Sequence, residues 1–327
     1  MTSTPDPSRI LDIATSYMGA KLLFAASRTG LFHALADGPL DADELARRTG
    51  TPSVVARILA DGMAAQGLVN RDGGRYSLPA DARAYLTGDH AALDLGPYLT
   101  FLDEISYGHW QQFDATVRTG EPGDLGMDDD RWATFLAGVM AYNRLHARML
   151  AQHVDLTPYR RLLDLGGLSS AFSIEAMRAN EQLHATFVFD PKAVDTVTAD
   201  VTAAGVDDRS VVIGEPTATA EPAGEFDLIM VNHVIHRFSP EQNVEILRRA
   251  RAAATPGARL LLLDFYLDDD QHQRSIDALH AGEYLVIDGT VVYPEADVRG
   301  WLAQTGWRAT GMTPLPGSPR VLHADAA

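Results

Sequence analysis

From residue 161 onward the chain consists of short, almost uninterrupted apolar runs separated by segments of helical character. That alternation restricts it to an open, mostly parallel sheet with helices on both faces. The runs are Leu162-Leu163-Asp164, Thr186–Asp190, Ser210–Gly214, Asp227–Val231 and Arg259–Asp264. Strands buried on both faces read this way because neither side meets water. Val286-Ile287 and Val321-Leu322 are expected to add later strands. The first run leads through Asp164-Leu165-Gly166-Gly167-Leu168-Ser169-Ser170 toward a helix. An apolar strand closing on Asp-x-Gly before a helix is how a doubly wound sheet meets a nucleotide-type cofactor, with glycines letting the backbone turn tightly and approach the ligand. Here Leu168 and Ser170 place Cβ atoms in that turn. A leucine packed into a well-fitted turn is expected to cost about 1–3 kcal/mol.

The N-terminal third follows a different pattern. Leu22, Ala25, Ala26, Leu31, Phe32 and Leu35 recur at helical spacing. Asp41-Ala42-Asp43-Glu44 reads as a helix start with acidic residues near the positive end of the dipole, and Thr51-Pro52-Ser53 as another. Leu68–Leu78, with Asp72-Gly73-Gly74 at its turn, reads as a hairpin. Helices followed by a two-stranded wing make residues 1–98 a winged helix-turn-helix. Residues 99–155 are expected to form a helical connector and 156–327 a Rossmann-like domain. Along the connector, Trp110, Phe113, Trp132, Phe135, Met140, Tyr142 and Met149 serve either helix packing or a pocket for a flat substrate.

A winged module either binds DNA or dimerises. The net charge of −17 and the single basic residue, Arg57, between Ser53 and Gln66 favour dimerisation and exclude nucleic acid as the expected partner. No apolar run approaches the roughly 18 residues of a membrane span, and Met1–Pro5 lacks the pattern of a secretory signal. With no cysteine, disulfides and thiolate sites are excluded, and a cytoplasmic location is expected. Asp128-Asp129-Asp130 and Asp268-Asp269-Asp270 read as solvated loops, with metal ligation as the alternative.

Two carboxylates fall at the carboxyl edge of the expected sheet. Asp190 ends the second strand about 20 residues past the glycine turn, where an acidic side chain holds cofactor ribose hydroxyls. Glu215 follows the third strand at the same edge.

Taken in order, Leu163-Asp164-Leu165-Gly166-Gly167, Phe187–Pro191, Phe226–Ile229, Asn232-His233-Val234-Ile235-His236 and Pro256–Asp264 give a chain that resembles the class I S-adenosylmethionine-dependent O-methyltransferases of the caffeate and polyketide-tailoring type. The resemblance covers nearly the whole chain. It implies a homodimer, a small natural-product substrate, and a cofactor held by Asp164, Gly166, Gly167, Asp190 and Glu215. It also implies that His236 is the general base, supported by Asp264, with His233 structural. Imidazole suits a base because its ordinary pKa lies near neutrality. Four positions depart from the family: Leu168 and Ser170 replace glycines, Arg237 sets a cation beside the base where the family usually has Asp, and Phe238 follows it in place of Trp. A second supporting glutamate has no match around Asp288–Val292. His280 and Glu283 lie at i, i+3, and with His236 would make a two-histidine, one-carboxylate site suited to Fe(II) or another divalent metal. Substrate-pocket polar residues are the other reading of that pair.

The altered loop makes a relative repurposed away from methyl transfer the first expectation, using His236 for acid–base or metal-assisted chemistry. The second is a working O-methyltransferase acting on a phenol or enol hydroxyl. The third is a non-catalytic partner of an active homologue.

Overall fold

The computed structural model describes residues 5–268 and 273–327, and divides into two compact units. One comprises residues up to Gly108 together with Leu125–Tyr142; the other comprises His109–Asp124 and Asn143–Ala327. The expected connector therefore contributes residues to both.

In the first unit, helices Ser8–Arg28, Leu31–Ala34, Ala42–Thr49 and Ser53–Ala65 precede the wing. Asp41 caps its helix as the sequence suggests: its Oδ1 accepts from the Glu44 backbone N–H at 2.8 Å while Glu44 Oε2 accepts from the Asp41 N–H at 2.9 Å, satisfying two donors the helix start would otherwise leave open. Strands β1 (Leu40–Asp41), β2 (Asn70–Asp72) and β3 (Arg75–Ser77) form a small antiparallel sheet in the order β1-β3-β2. The sequence had suggested only the β2–β3 hairpin. Leu31, Phe32, Leu35, Leu45, Met63 and Tyr76 fill the core. Tyr98 stacks on Tyr142 at 4.1 Å and Phe101 meets Phe135 edge-on at 5.5 Å, so these four rings pack helix against helix. One stripe of the first helix stays apolar and open to water, with Ile10 72% and Ile13 69% exposed.

The second unit holds strands β4 (Arg161–Leu165), β5 (His184–Phe189), β6 (Ser210–Gly214), β7 (Phe226–Asn232), β8 (Ala254–Asp264), β9 (Trp307–Pro314) and β10 (Arg320–Ala326) in one sheet. Their order is β6-β5-β4-β7-β8-β10-β9, parallel from β6 to β8 and antiparallel at β10 and β9. Alternate residues feed two cores: Leu163, Ile229, Val231, Leu260 and Leu262 on one face, Leu162, Phe187, Leu228, Met230 and Leu261 on the other. Each such side chain contributes about 1.5–3 kcal/mol on burial, which holds the inner strands together. The edge strand β6 is not buried on both faces as its apolar run suggests, with Val211 55% exposed.

The chain leaves β4 toward β5 and β6, then returns to β7 on the other side of β4. The chain therefore diverges to opposite sides after β4 and β7, a switch point at the carboxyl edge where open α/β sheets hold ligands in a crevice. Val321-Leu322 lies in β10 as expected, but Val286-Ile287 does not form a strand: it ends the helix Ser275–Asp288, which Gly289 stops with a left-handed φ of 75°. Buried Arg320 on β10 ties that helix to the sheet, reaching Asp268 at 2.6 Å and Asp277 at 3.3 Å. Asp269 and Asp270 lie outside the described residues, whereas Asp128–Asp130 are exposed. Among the described residues no helix is long and apolar enough to cross a membrane.

Candidate active site

β4 brings Asp164 and the following turn to the crevice. Gly166 and Gly167 take φ of 82° and 96°, which L side chains rarely adopt. The space is closed as well: a Cβ on Gly166 would collide with the Thr217 side chain, and one on Gly167 would lie 2.8 Å from the Asn232 carbonyl oxygen at the end of β7. Asp164 is buried, and burial pushes its carboxyl up to about 8 despite the Ser173 hydroxyl donating to it at 2.6 Å.

Leu168 does not fill the turn. It is 44% exposed and keeps a backbone conformation open to any residue, so the expected packing cost does not arise. Ser170 is buried and donates to Asp200 on the helix Val194–Ala203 at 2.7 Å, tying the start of the helix Ala171–Ala179 to its neighbour. Asp190 stands exposed after β5, with Oδ1 fixed by the Lys192 N–H at 3.0 Å. Glu215 follows β6; its N–H donates to the Phe189 carbonyl at 2.9 Å, and Oε2 accepts from the Glu221 N–H at 3.1 Å.

On the other side of the crevice, the short turn Ile235–Arg237 presents His236. Asn243, fully buried in the helix Pro240–Ala252, donates to the carbonyls of Ile235 and Phe238 at 2.9 and 3.1 Å and so brackets the histidine. His236 Nδ1 lies 2.9 Å from Oδ2 and 3.2 Å from Oδ1 of Asp264, the last residue of β8. Burial alone would raise the Asp264 carboxyl; the charge and hydrogen bond of His236, with His233 and the Phe265 N–H, outweigh it and hold it below the usual carboxylate value. The Tyr284 ring packs 4.5 Å from His236. Residues 288–292 supply no carboxylate to it but a backbone contact, the Val291 N–H donating to the His236 carbonyl at 3.2 Å. Arg237 is exposed to solvent.

His233, near the same crevice, has Nδ1 3.9 Å from Asp264 and Nε2 3.0 Å from Nδ1 of His146. Sequence reasoning missed His146, Asn243, Ser173 and Asp200. His146 carried a usable signal, a histidine among the apolar positions of the helix Asp129–His153, but nothing along the chain marks its partner.

The three residues expected to hold a metal are not brought together. His280 stacks on Phe265 at 3.8 Å, with Nδ1 2.8 Å from the Ile276 carbonyl. Glu283 accepts from the Trp110 indole N–H, whose ring lies over Gly282, where a Cβ would come within 2.7 Å of it. Helical spacing put His280 and Glu283 on one face, but each is engaged by a different neighbour. Among the described residues, the histidine and carboxylate atoms that converge within 4.8 Å belong to His233, His236 and Asp264, and there His236 Nδ1 is already paired with the carboxylate. The donor set does not fit Fe(II) held by His236, His280 and Glu283.

The family of the chain is given by its similarity to known proteins. Residues 102–308 match the O-methyltransferase domain and residues 11–88 the O-methyltransferase dimerisation domain. The chain belongs to the O-methyltransferase family. The 3-hydroxy-5-methyl-1-naphthoate 3-O-methyltransferase of Streptomyces sahachiroi is 31% identical over 309 residues, covering 92% of this chain and 89% of that protein. The tetracenomycin polyketide synthesis 8-O-methyl transferase of Streptomyces glaucescens is 27% identical, covering 97% and 96%. The solved apo form of the S-adenosylmethionine-dependent methyltransferase SibL is similar over 98% of this chain and 99% of its own, with a TM-score of 0.84 and 26% identity. The helical N-terminal dimerisation domain and the Rossmann-like sheet are thus the family's.

Proposed function

We propose that this chain is an S-adenosylmethionine-dependent O-methyltransferase that methylates a phenol or enol hydroxyl of an aromatic, polyketide-type natural product. The observation that carries the reading is the 2.9 Å contact between His236 Nδ1 and buried Asp264, placed across the crevice from the glycine turn. Relatives whose names specify O-methylation of a naphthoate and of a polyketide support the substrate class. The repurposed chemistry expected first, which rested on Leu168 and Ser170 in the turn, finds no support among these relatives. A non-catalytic partner has no use for the His236–Asp264 pair.

The turn fits the cofactor: Gly166 and Gly167 add no side chains of their own to it, with Thr217 packed against Gly166, Asp190 offers a fixed carboxylate for ribose hydroxyls, and Glu215 stands at the next strand end. When bound, S-adenosylmethionine supplies an electrophilic methyl group on a positively charged sulfur. His236 donates its Nδ1–H to Asp264 and leaves Nε2 with a lone pair. That nitrogen takes the proton of the substrate hydroxyl as the oxygen gains the methyl group, and Asp264, held anionic, stabilises the resulting imidazolium. The exposed apolar stripe around Ile10 and Ile13 is the surface through which two copies dimerise.

The test is to incubate the full chain with S-adenosylmethionine and a panel of hydroxynaphthoates and phenolic polyketides, following S-adenosylhomocysteine release and the mass of one added methylene. His236→Ala is expected to lower turnover by about 10²–10⁴-fold while leaving S-adenosylhomocysteine binding intact. Asp264→Asn is expected to lower it less. Wild-type protein that binds neither cofactor form, or turnover untouched by His236→Ala, would overturn the proposal.

A further inference from the structure

His233 is, among the described residues, the one non-glycine residue with positive φ, at 53°. Holding an L residue there costs about 1–3 kcal/mol and persists where the surroundings over-determine it. The surroundings here are specific. The His233 N–H donates to the Leu263 carbonyl at 2.8 Å, one residue past the end of β7, so the chain is still locked to β8 when it turns. The turn carries the imidazole between Asp264 and fully buried His146, with Nδ1 3.9 Å from Asp264 Oδ1 and Nε2 3.0 Å from His146 Nδ1.

Burial keeps both rings neutral, pushing His233 down to about 4 against the pull of Asp264, and His146 well below its usual value. A hydrogen bond between two neutral imidazoles needs one N–H and one lone pair. Were His233 the donor, its Nδ1 lone pair would face the Asp264 carboxylate, an unfavourable pairing. The reverse assignment avoids that clash: His146 donates Nδ1–H to His233 Nε2, and His233 turns its own Nδ1–H toward the Asp264 carboxylate, an electrostatic contact at 3.9 Å rather than a hydrogen bond. Asp264 Oδ1 also accepts from the Phe265 N–H at 2.9 Å, while Oδ2 faces His236. Other titratable groups around this chain of contacts include His280, which burial also holds neutral at about 4, Tyr284, and buried Tyr266, whose hydroxyl burial and the Asp264 charge push up.

We propose that His233 is a positioning residue for the base: oriented by buried His146, it directs an N–H at Asp264 and so fixes the carboxylate in the geometry that His236 uses. The inference rests on reading His236 as the base. It supplies the second support for the Asp264–His236 pair that has no glutamate in this sequence.

The test is side-chain ¹⁵N NMR of the full-length protein with labelled histidines, in wild type and two variants that both tolerate the left-handed turn. His233→Gly keeps the turn and removes the N–H; His233→Asn keeps the turn and places an amide nitrogen where Nδ1 stood. In the wild type, His233 and His236 are both expected to carry their proton on Nδ1. His233→Gly is expected to shift the His236 Nδ1 resonance, because the carboxylate that accepts its N–H loses the neighbouring N–H that orients it. His233→Asn is expected to restore the wild-type resonance. A wild-type His233 protonated on Nε2, or Gly and Asn variants that act alike on His236, would overturn the proposal. If His233→Gly fails to fold, the wild-type tautomer and the Asn variant decide it. S-adenosylhomocysteine titration of each protein separates the two readings: retained binding with an unmoved His236 overturns the positioning role alone, whereas wild-type protein that does not bind overturns the methyltransferase reading.

Discussion

Replacing Gly167 with alanine tests the cradle directly. At φ 96° the alanine would occupy a conformation that costs an L residue about 1–2 kcal/mol. Its Cβ would also lie 2.8 Å from the Asn232 carbonyl oxygen, a backbone atom that cannot swing aside. Overpacking of that kind costs about 1–3 kcal/mol more, so the total expected loss is about 2–5 kcal/mol. Gly205 provides the control. Its φ is 66° and nothing lies within 4 Å of an added Cβ, so Gly205→Ala should show the backbone cost alone, about 1–2 kcal/mol. Urea unfolding followed by tryptophan fluorescence gives the stability difference, and calorimetric titration with S-adenosylhomocysteine gives the effect on the site. Because the Gly167 strain is relieved by moving the turn away from β7, the dissociation constant should rise about tenfold or more, the equivalent of about 1.4 kcal/mol. Equal destabilisation by the two alanines, with unchanged ligand affinity, would refute a sterically closed turn.

With its side chain in solvent, Leu168→Ala should change S-adenosylhomocysteine affinity by less than about threefold, and a gain of two orders of magnitude would show that the leucine obstructs the site after all. Asp164 sets a pH dependence. Folded, it keeps its proton up to about 8, whereas unfolded it releases it at the ordinary carboxylate value, so across that window the folded state binds more protons and stability falls as pH rises. Asp164→Asn should flatten that fall, measured as urea midpoints from about pH 5 to 8; parallel slopes for the two proteins would count against it. Ile10→Asp combined with Ile13→Asp should convert a dimer to a monomer on size exclusion without loss of helix content, and an unchanged elution volume would move the dimer contact elsewhere.

The carboxyl-edge geometry was legible in the sequence wherever a strand end fixed it. Doubly buried strands announce themselves as apolar runs, and Asp164, Asp190, Glu215, His236 and Asp264 follow such runs closely enough that the topology alone brings them to one edge. Val286-Ile287 misled because a short apolar pair fits either period, and only the helix running from Ser275 and its stop at Gly289 decide between them. His280 and Glu283 misled for a related reason. Spacing of i, i+3 states that two side chains share a helix face, but not that Phe265 stacks on one and Trp110 binds the other.

What the sequence determined by itself is local and steric: which apolar runs form the parallel strands β4 to β8, where the chain needs glycine at Gly166 and Gly167, and which titratable groups end those strands. The tertiary structure decided how those groups are used. Leu168 faces solvent, Ser170 is bonded to Asp200, and His146 reaches His233 across 87 residues of chain. Contacts of this second kind depend on how separate elements pack, and a hydrogen bond or an open direction for a side chain exists only once that packing has removed the alternatives offered by water.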